Sequence, residues 1–167
     1  MAANAEFNVI VGDVNDAFVE IVAETVAEAL DPCHRLRVHG TSDTDRILAL
    51  ADERPVDLFV LFLNNLTFGK WGSNLDADSF VKALLLVRHL KAFHGKPIMA
   101  TAAFPAEFLY KDIALRFGAD CFLRMPFEMS DFLVEIRTLF PERARQQTDL
   151  RPVPCSVFRP GSPGFHA

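Results

Sequence analysis

An α/β fold, an open five-stranded parallel sheet with helices on both faces, follows from three features of the sequence. Short β-branched or apolar runs alternate five times with segments of helical periodicity. One run, Asp57-Leu58-Phe59-Val60-Leu61-Phe62-Leu63, is almost unbroken in its apolarity, as a strand buried on both faces requires. The 167 residues are 50% hydrophobic and 23% charged, which suits one domain with a sizeable core and excludes disorder throughout, a collagen-like chain and a coiled coil.

The first strand is Phe7-Asn8-Val9-Ile10-Val11, stopping at Gly12-Asp13. Asn15 or Asp16 caps a helix whose inner face carries Phe18, Ile21, Val22, Thr25, Val26, Ala29 and Leu30. Its outer face carries Asp16, Glu20, Glu24 and Glu28, a solvated acidic stripe or a docking stripe for a basic partner. Asp31-Pro32 ends it. Arg35-Leu36-Arg37-Val38-His39 alternates, as a strand nearer a sheet edge does. Thr41-Ser42-Asp43 offers caps for a helix through Ile47, Leu48, Leu50 and Ala51, broken at Arg54-Pro55, and the apolar third strand follows.

Residues 64–78 are polar and small, with the single tryptophan, Trp71, and read as a long loop, the kind that carries function or moves. A helix from about Ser79 to Phe93 stops before Gly95, and Pro97-Ile98-Met99-Ala100-Thr101 is the fourth strand. Pro105 suits the first position of a helix that runs through Phe108, Ile113 and Phe117 to Gly118. Asp120-Cys121-Phe122-Leu123-Arg124-Met125 is the fifth strand, and Ser130 caps a last helix with Phe132, Ile136, Leu139 and Phe140 on one face. The domain therefore spans 1–140. Residues 141–167, with Pro152, Pro154, Pro160 and Pro163, read as an extended or disordered tail.

A formal charge of -5 disfavours a dedicated nucleic-acid binder. No run approaches the ~20 apolar residues of a membrane span, and the N-terminus has no secretory pattern. Cys33, Cys121 and Cys155 lack the spacing of a disulfide framework, so a soluble, cytoplasmic protein is expected. There is no Gly-x-Gly-x-x-Gly, Walker loop or Gly-x-Ser-x-Gly elbow. His34, His39, His89, His94 and His166 have no metal-site spacing and read as isolated surface groups, while Cys121 reads as a buried small hydrophobe. In an open parallel sheet, ligand chemistry sits at the carboxyl ends of the strands, here Gly12-Asp13, Phe62–Asn65, Thr101–Ala103 and Met125-Pro126.

From Phe7 to Phe140 the sequence resembles the CheY-like receiver domain of two-component response regulators. Ile10-Val11-Gly12-Asp13 is similar to the family's acidic turn, Pro55 to Phe62 to the strand ending in the phosphoacceptor aspartate, and Pro97 to Ala102 to the strand with the switch threonine. The most specific string is Gly118-Ala119-Asp120-Cys121-Phe122-Leu123-Arg124-Met125-Pro126-Phe127, similar to Gly-Ala-Asp-x-Phe-Leu-x-Lys-Pro-Phe. The resemblance implies a flavodoxin-like, doubly wound sheet of order 2-1-3-4-5.

It also implies a set of site positions. Two acidic residues and the acceptor aspartate hold magnesium in the family, and the threonine and lysine bind phosphate oxygens. Gly12 and Asp13 stand at the acidic positions, Phe62 at the acceptor, Thr101 at the threonine, Met125 at the lysine, and Phe122 at the aromatic switch position. The acceptor, the lysine and one metal ligand are missing together. Phe62 and Met125 could form an apolar plug, and a register slip would bring Asn64, no phosphoacceptor either, to the acceptor position. Asp76 and Asp78 could fold back from the loop.

The implied protein is a degenerate receiver, not an enzyme. It binds no cofactor and no magnesium, and works through a protein partner or as a homodimer. The implied partner surfaces are Pro105–Phe117, Ser130–Phe140 or the acidic first helix. Two alternatives are a working phosphoacceptor with an unusual site and a small-molecule binder that uses residues 64–78 as a lid.

Overall fold

The computed structural model describes residues 5–13, 15–30, 34–103 and 108–142. The element order is β1 (Glu6–Gly12), α1 (Asp16–Ala29), β2 (Arg35–Gly40), α2 (Thr44–Glu53), β3 (Leu58–Phe62), α3 (Lys70–Ser73), α4 (Ser79–His94), β4 (Ile98–Ala102), α5 (Phe108–Arg116), β5 (Cys121–Arg124) and α6 (Met129–Leu139). The five strands are all parallel and pair in the order β2-β1-β3-β4-β5, as expected. The expected end of the first helix at Asp31-Pro32, the Pro105 helix start and the tail from residue 143 lie outside the described residues.

Alternation along the central strands builds a core on each side of the sheet. Leu58 and Val60 of β3 face Phe18, Val22 and Val26 of α1 and Phe132 and Ile136 of α6. Phe59 and Leu61 face Ile47 and Leu50 of α2 and Leu86, Val87 and Leu90 of α4. Leu58 to Leu61 are all buried, so β3 is covered on both faces, while edge strand β2 alternates between exposed and half-buried.

Local chemistry sets the boundaries. Asn15 caps α1 through the N–H groups of Ala17 and Phe18, Asp43 caps α2 and Asp78 caps α4. Gly95, at φ 63°, closes α4 in the left-handed conformation. The cap of α6 is Glu128 rather than Ser130: Glu128 and Asp131 form a reciprocal capping box, and Ser130 lies inside the first turn.

Two aspartates close the amino-terminal edge of the sheet in the same way. Asp57 accepts from Asn8 N–H at 2.8 Å while its own N–H donates to Asn8 carbonyl. Asp120 accepts from Ile98 N–H at 2.8 Å, its own N–H donates to Ile98 carbonyl, and its carboxylate also holds Lys91 Nζ at 2.9 Å. The Gly-Ala-Asp string is therefore structural: Gly118 takes φ 112°, open to glycine, and Asp120 ties β5, β4 and α4 together.

Residues 64–78 are not a free loop. Thr67 bridges Asp43 in a parallel pair, with Thr44 N–H donating to Thr67 carbonyl and Thr67 N–H to Ser42 carbonyl. The Asp45 carboxylate then receives the N–H groups of Lys70 at 2.6 Å and Trp71 at 2.9 Å, which holds the turn α3 against α2. The expectation of a loop missed α3 because Gly69 and Gly72 are poor helix formers and the stabilising acceptor lies 25 residues away.

Candidate functional site

Parallel register brings the sequence-derived positions to one edge. Gly12 pairs with Leu61, Phe62 with Thr101, and Ala102 with Arg124, so Asp13, Phe62, Thr101 and Met125 stand at the carboxyl ends of four adjacent strands. Phe122 does not join them: it pairs with Ala100 inside the sheet and packs, half-buried, against the α2 and α4 side.

The space beside Gly12 is closed by packing. A Cβ on Gly12 would lie 2.9 Å from Leu66 Cδ2 and 3.0 Å from Leu61 Cδ2. Leu66 is 6% exposed and belongs to the α2 and α4 core. Sequence reasoning missed Leu66. Its signal was an isolated leucine in a polar stretch, visible only once the chain reverses after β3.

Asp13 is 2% exposed. Its Oδ1 accepts from Asn15 N–H at 3.0 Å, and Asn65 Nδ2 donates to Oδ1 and Oδ2 at 3.3 and 3.4 Å. Asn64 turns to the next loop, its Oδ1 accepting from Ala103 N–H at 2.7 Å. Both asparagines are thus used as hydrogen-bonding ties between strand ends, and Asn64 lies past the end of β3.

Phe62 is half-buried, with its ring 6.0 Å from Phe18. Phe18 continues to Phe127 at 6.5 Å, and Phe127 to Phe132 at 5.8 Å. A file of four rings therefore runs from the strand end into the α1 and α6 core. An aromatic from α1 is thus one apolar neighbour of Phe62. Half-buried Met125 donates its N–H to Ala102 carbonyl at 2.9 Å and precedes a cis bond to Pro126. Thr101 is 1% exposed, and its Oγ1 has no hydrogen-bond partner among the described residues.

Of the two loop acids, Asp78 is committed to α4, accepting from Val81 N–H at 2.9 Å, and Asp76 is exposed. Among the described residues no group of three His, Cys, Asp or Glu side chains gathers in a way that could hold a metal ion. Two of the histidines, His89 and His94, are not the isolated surface groups expected, and His166 lies outside the described residues. His89 lies between Trp71 and Phe93, with ring centroids 5.9 and 4.4 Å away, and His94 packs 6.1 Å from Phe59. Apolar neighbours one helical turn away outweigh the polar character of the imidazole. Cys121 is buried, and that burial pushes its thiol up to about 12, so it is no nucleophile at neutral pH.

No family model and no curated protein matches the chain. Solved structures do. The receiver domain of the Francisella response regulator 1452 is 18% identical with a TM-score of 0.59, over 81% of this chain and 97% of its own. A response regulator from Thermotoga maritima is 12% identical with a TM-score of 0.61, over 81% and 98%. The beryllofluoride-activated NtrC4 receiver domain, solved as a dimer, is 16% identical with a TM-score of 0.59, over 81% and 98%. The fold is the CheY-like receiver fold. In the described residues no helix is long and apolar enough to cross a membrane.

Proposed function

Taking the receiver fold as premise, we propose that this domain is a degenerate receiver that serves signal transduction through protein–protein contact and not through aspartyl phosphorylation. The observation that carries the reading is the strand end itself. Phe62, with no nucleophilic atom, stands at the acceptor position and is packed on Phe18. Met125 brings no charge to the position where a phosphate-binding cation would be required. Leu66 occupies the space that a first acidic side chain at Gly12 would need.

The residues present do not fit magnesium. The ion demands near-octahedral hard oxygen ligands, commonly with more than one anionic group. Among the described residues at the ends of β1, β3, β4 and β5, Asp13 supplies the carboxylate, and both of its oxygens already accept hydrogen bonds. The domain has no catalytic constellation in this reading, and its output passes to a protein partner or a second copy. Cysteines without framework spacing support a reducing, cytoplasmic setting.

The test is a titration with magnesium and beryllium fluoride, followed by amide chemical shifts. The expected result is no saturable change around Asp13, Phe62 and Thr101. Saturable shifts confined to that edge at micromolar to low millimolar ligand would refute the proposal.

A further inference from the structure

A second surface feature lies on the outer face of α4. Trp71, Leu75, Leu85, His89, Ala92 and Phe93 line an open groove of about 390 Å³ between α3 and the outer face of α4, with Arg88 at its rim. Phe93 is 74% exposed, the largest exposure among the large hydrophobic side chains described. His89 holds the three aromatic groups in one row. An aromatic row with a cation beside it is the kind of surface on which proline-rich segments dock, because a polyproline II chain loses little entropy on binding.

We propose that this groove is occupied by the chain's own carboxyl-terminal segment, residues 143–167. Three observations select this occupant. The first is composition: the segment carries Pro152, Pro154, Pro160 and Pro163, the last two spaced Pro-x-x-P, and two large apolar anchors, Phe158 and Phe165. The second is reach. Phe140, where α6 ends, lies 5.2 Å from Phe7 at the start of β1, and α4 ends at His94, beside Phe59 near the start of β3. The segment therefore departs from the same edge of the sheet at which the Phe93 end of the groove lies.

Crossing three packed layers takes roughly 20–30 Å. Phe158 stands 18 residues beyond Phe140, and a polyproline II path of ~3.1 Å per residue covers far more than that distance. The third observation is charge. Arg143, Arg145, Arg151 and Arg159 against Asp149 make the segment net positive, whereas the whole chain has a formal charge of -5. This net attraction keeps the segment near the body it is tied to, while the aromatic row and not charge selects the groove, whose charged lining residue, Arg88, is itself a cation. Tethering also supplies an effective concentration on the order of millimolar, so a weak intrinsic contact suffices.

Trp71, the only tryptophan, reports on the groove. Acrylamide quenching of its fluorescence is compared between the full chain and the full chain carrying Phe158→Ser with Phe165→Ser. Loss of docking should raise the quenching constant by about twofold, independent of protein concentration. Phe93→Ser removes the exposed groove ring without touching the core. On that background the tail substitutions should add nothing. Equal quenching in parent and tail variant overturns the proposal, as does a tail effect that persists with Phe93→Ser. A difference that grows with protein concentration assigns the groove to the tail of a second copy and overturns docking within one chain.

Discussion

Replacing Phe62 with aspartate restores the side chain that an acceptor strand would carry, and the packing around it forecasts the cost. A fully buried phenylalanine cut to alanine typically loses ~3–5 kcal/mol. Phe62 is only half-buried, so its apolar share is smaller, roughly 2 kcal/mol, and the ring pair with Phe18 at 6.0 Å adds about 1 kcal/mol. The new carboxyl would stand at the strand end next to Asp13, which is 2% exposed, so two carboxyl groups would share one buried edge. The sum is a loss of about 3 kcal/mol or more at pH 7, lowering Tm by roughly 6–12 °C for a chain of this size. Phe62→Leu keeps most of the area and loses only the ring pair, about 1 kcal/mol. Urea unfolding followed by circular dichroism measures both. The gap between the two variants should narrow below pH 4, where the introduced carboxyl is neutral. An aspartate variant as stable as the leucine variant at pH 7 would refute the claim that this edge is built for an apolar side chain.

Further outcomes follow from single contacts. Thr101→Val replaces a buried hydroxyl without a described partner by a methyl of the same shape, so stability should hold or rise by up to about 1 kcal/mol in the same urea assay. Gly12→Ala forces Leu66 to move and should cost about 1–3 kcal/mol, and Leu66→Ala on that background should recover part of it. The N–H groups of Trp71 and Lys70 hold the Asp45 carboxyl below its ordinary range, so its stabilising contribution is complete above the unfolded pKa of about 4 and is lost as pH falls through the lower folded value; Trp71 fluorescence should shift there in the parent and not in Asp45→Asn. Cys121, pushed up to about 12 by burial and then by Glu135 and Asp120, should resist alkylation at pH 8 until urea unfolds the chain, as peptide mass mapping would show.

The fold was legible because its signals are local and redundant. The run from Leu58 to Leu61 announces a strand covered on both faces, and Asn15, Asp43, Gly95 and Gly118 mark element ends whatever surrounds them. The positions at the strand ends were legible by resemblance, since register carries Phe62 to Thr101 once the strands are aligned. What fills the edge was not legible. Leu66 over Gly12, Phe18 against Phe62 and the amide of Asn65 on Asp13 join residues 44 to 54 positions apart, and no periodicity encodes such pairs. Glu128 outcompeted Ser130 as a cap because Asp131 completed a reciprocal pair, a choice made by the turn geometry rather than by the better intrinsic capper.

The attachment of residues 64–73 to the start of α2 bears on how the domain opens. The bridge between Asp43 and Thr67 and the bonds from Asp45 to α3 join segments about 25 residues apart, with β3 between them. A long connection that would otherwise exchange its amide protons almost freely is thereby tied to a helix docked on the core. The amides of Thr67, Lys70 and Trp71 belong to one cooperative unit with the first turn of α2 and should share its protection. Residues 76 and 77, beyond the Leu75 N–H bond to Gly72 carbonyl and before the Asp78 cap, should exchange orders of magnitude faster. The boundary between slow and fast protons falls inside a stretch that composition alone marks as uniform.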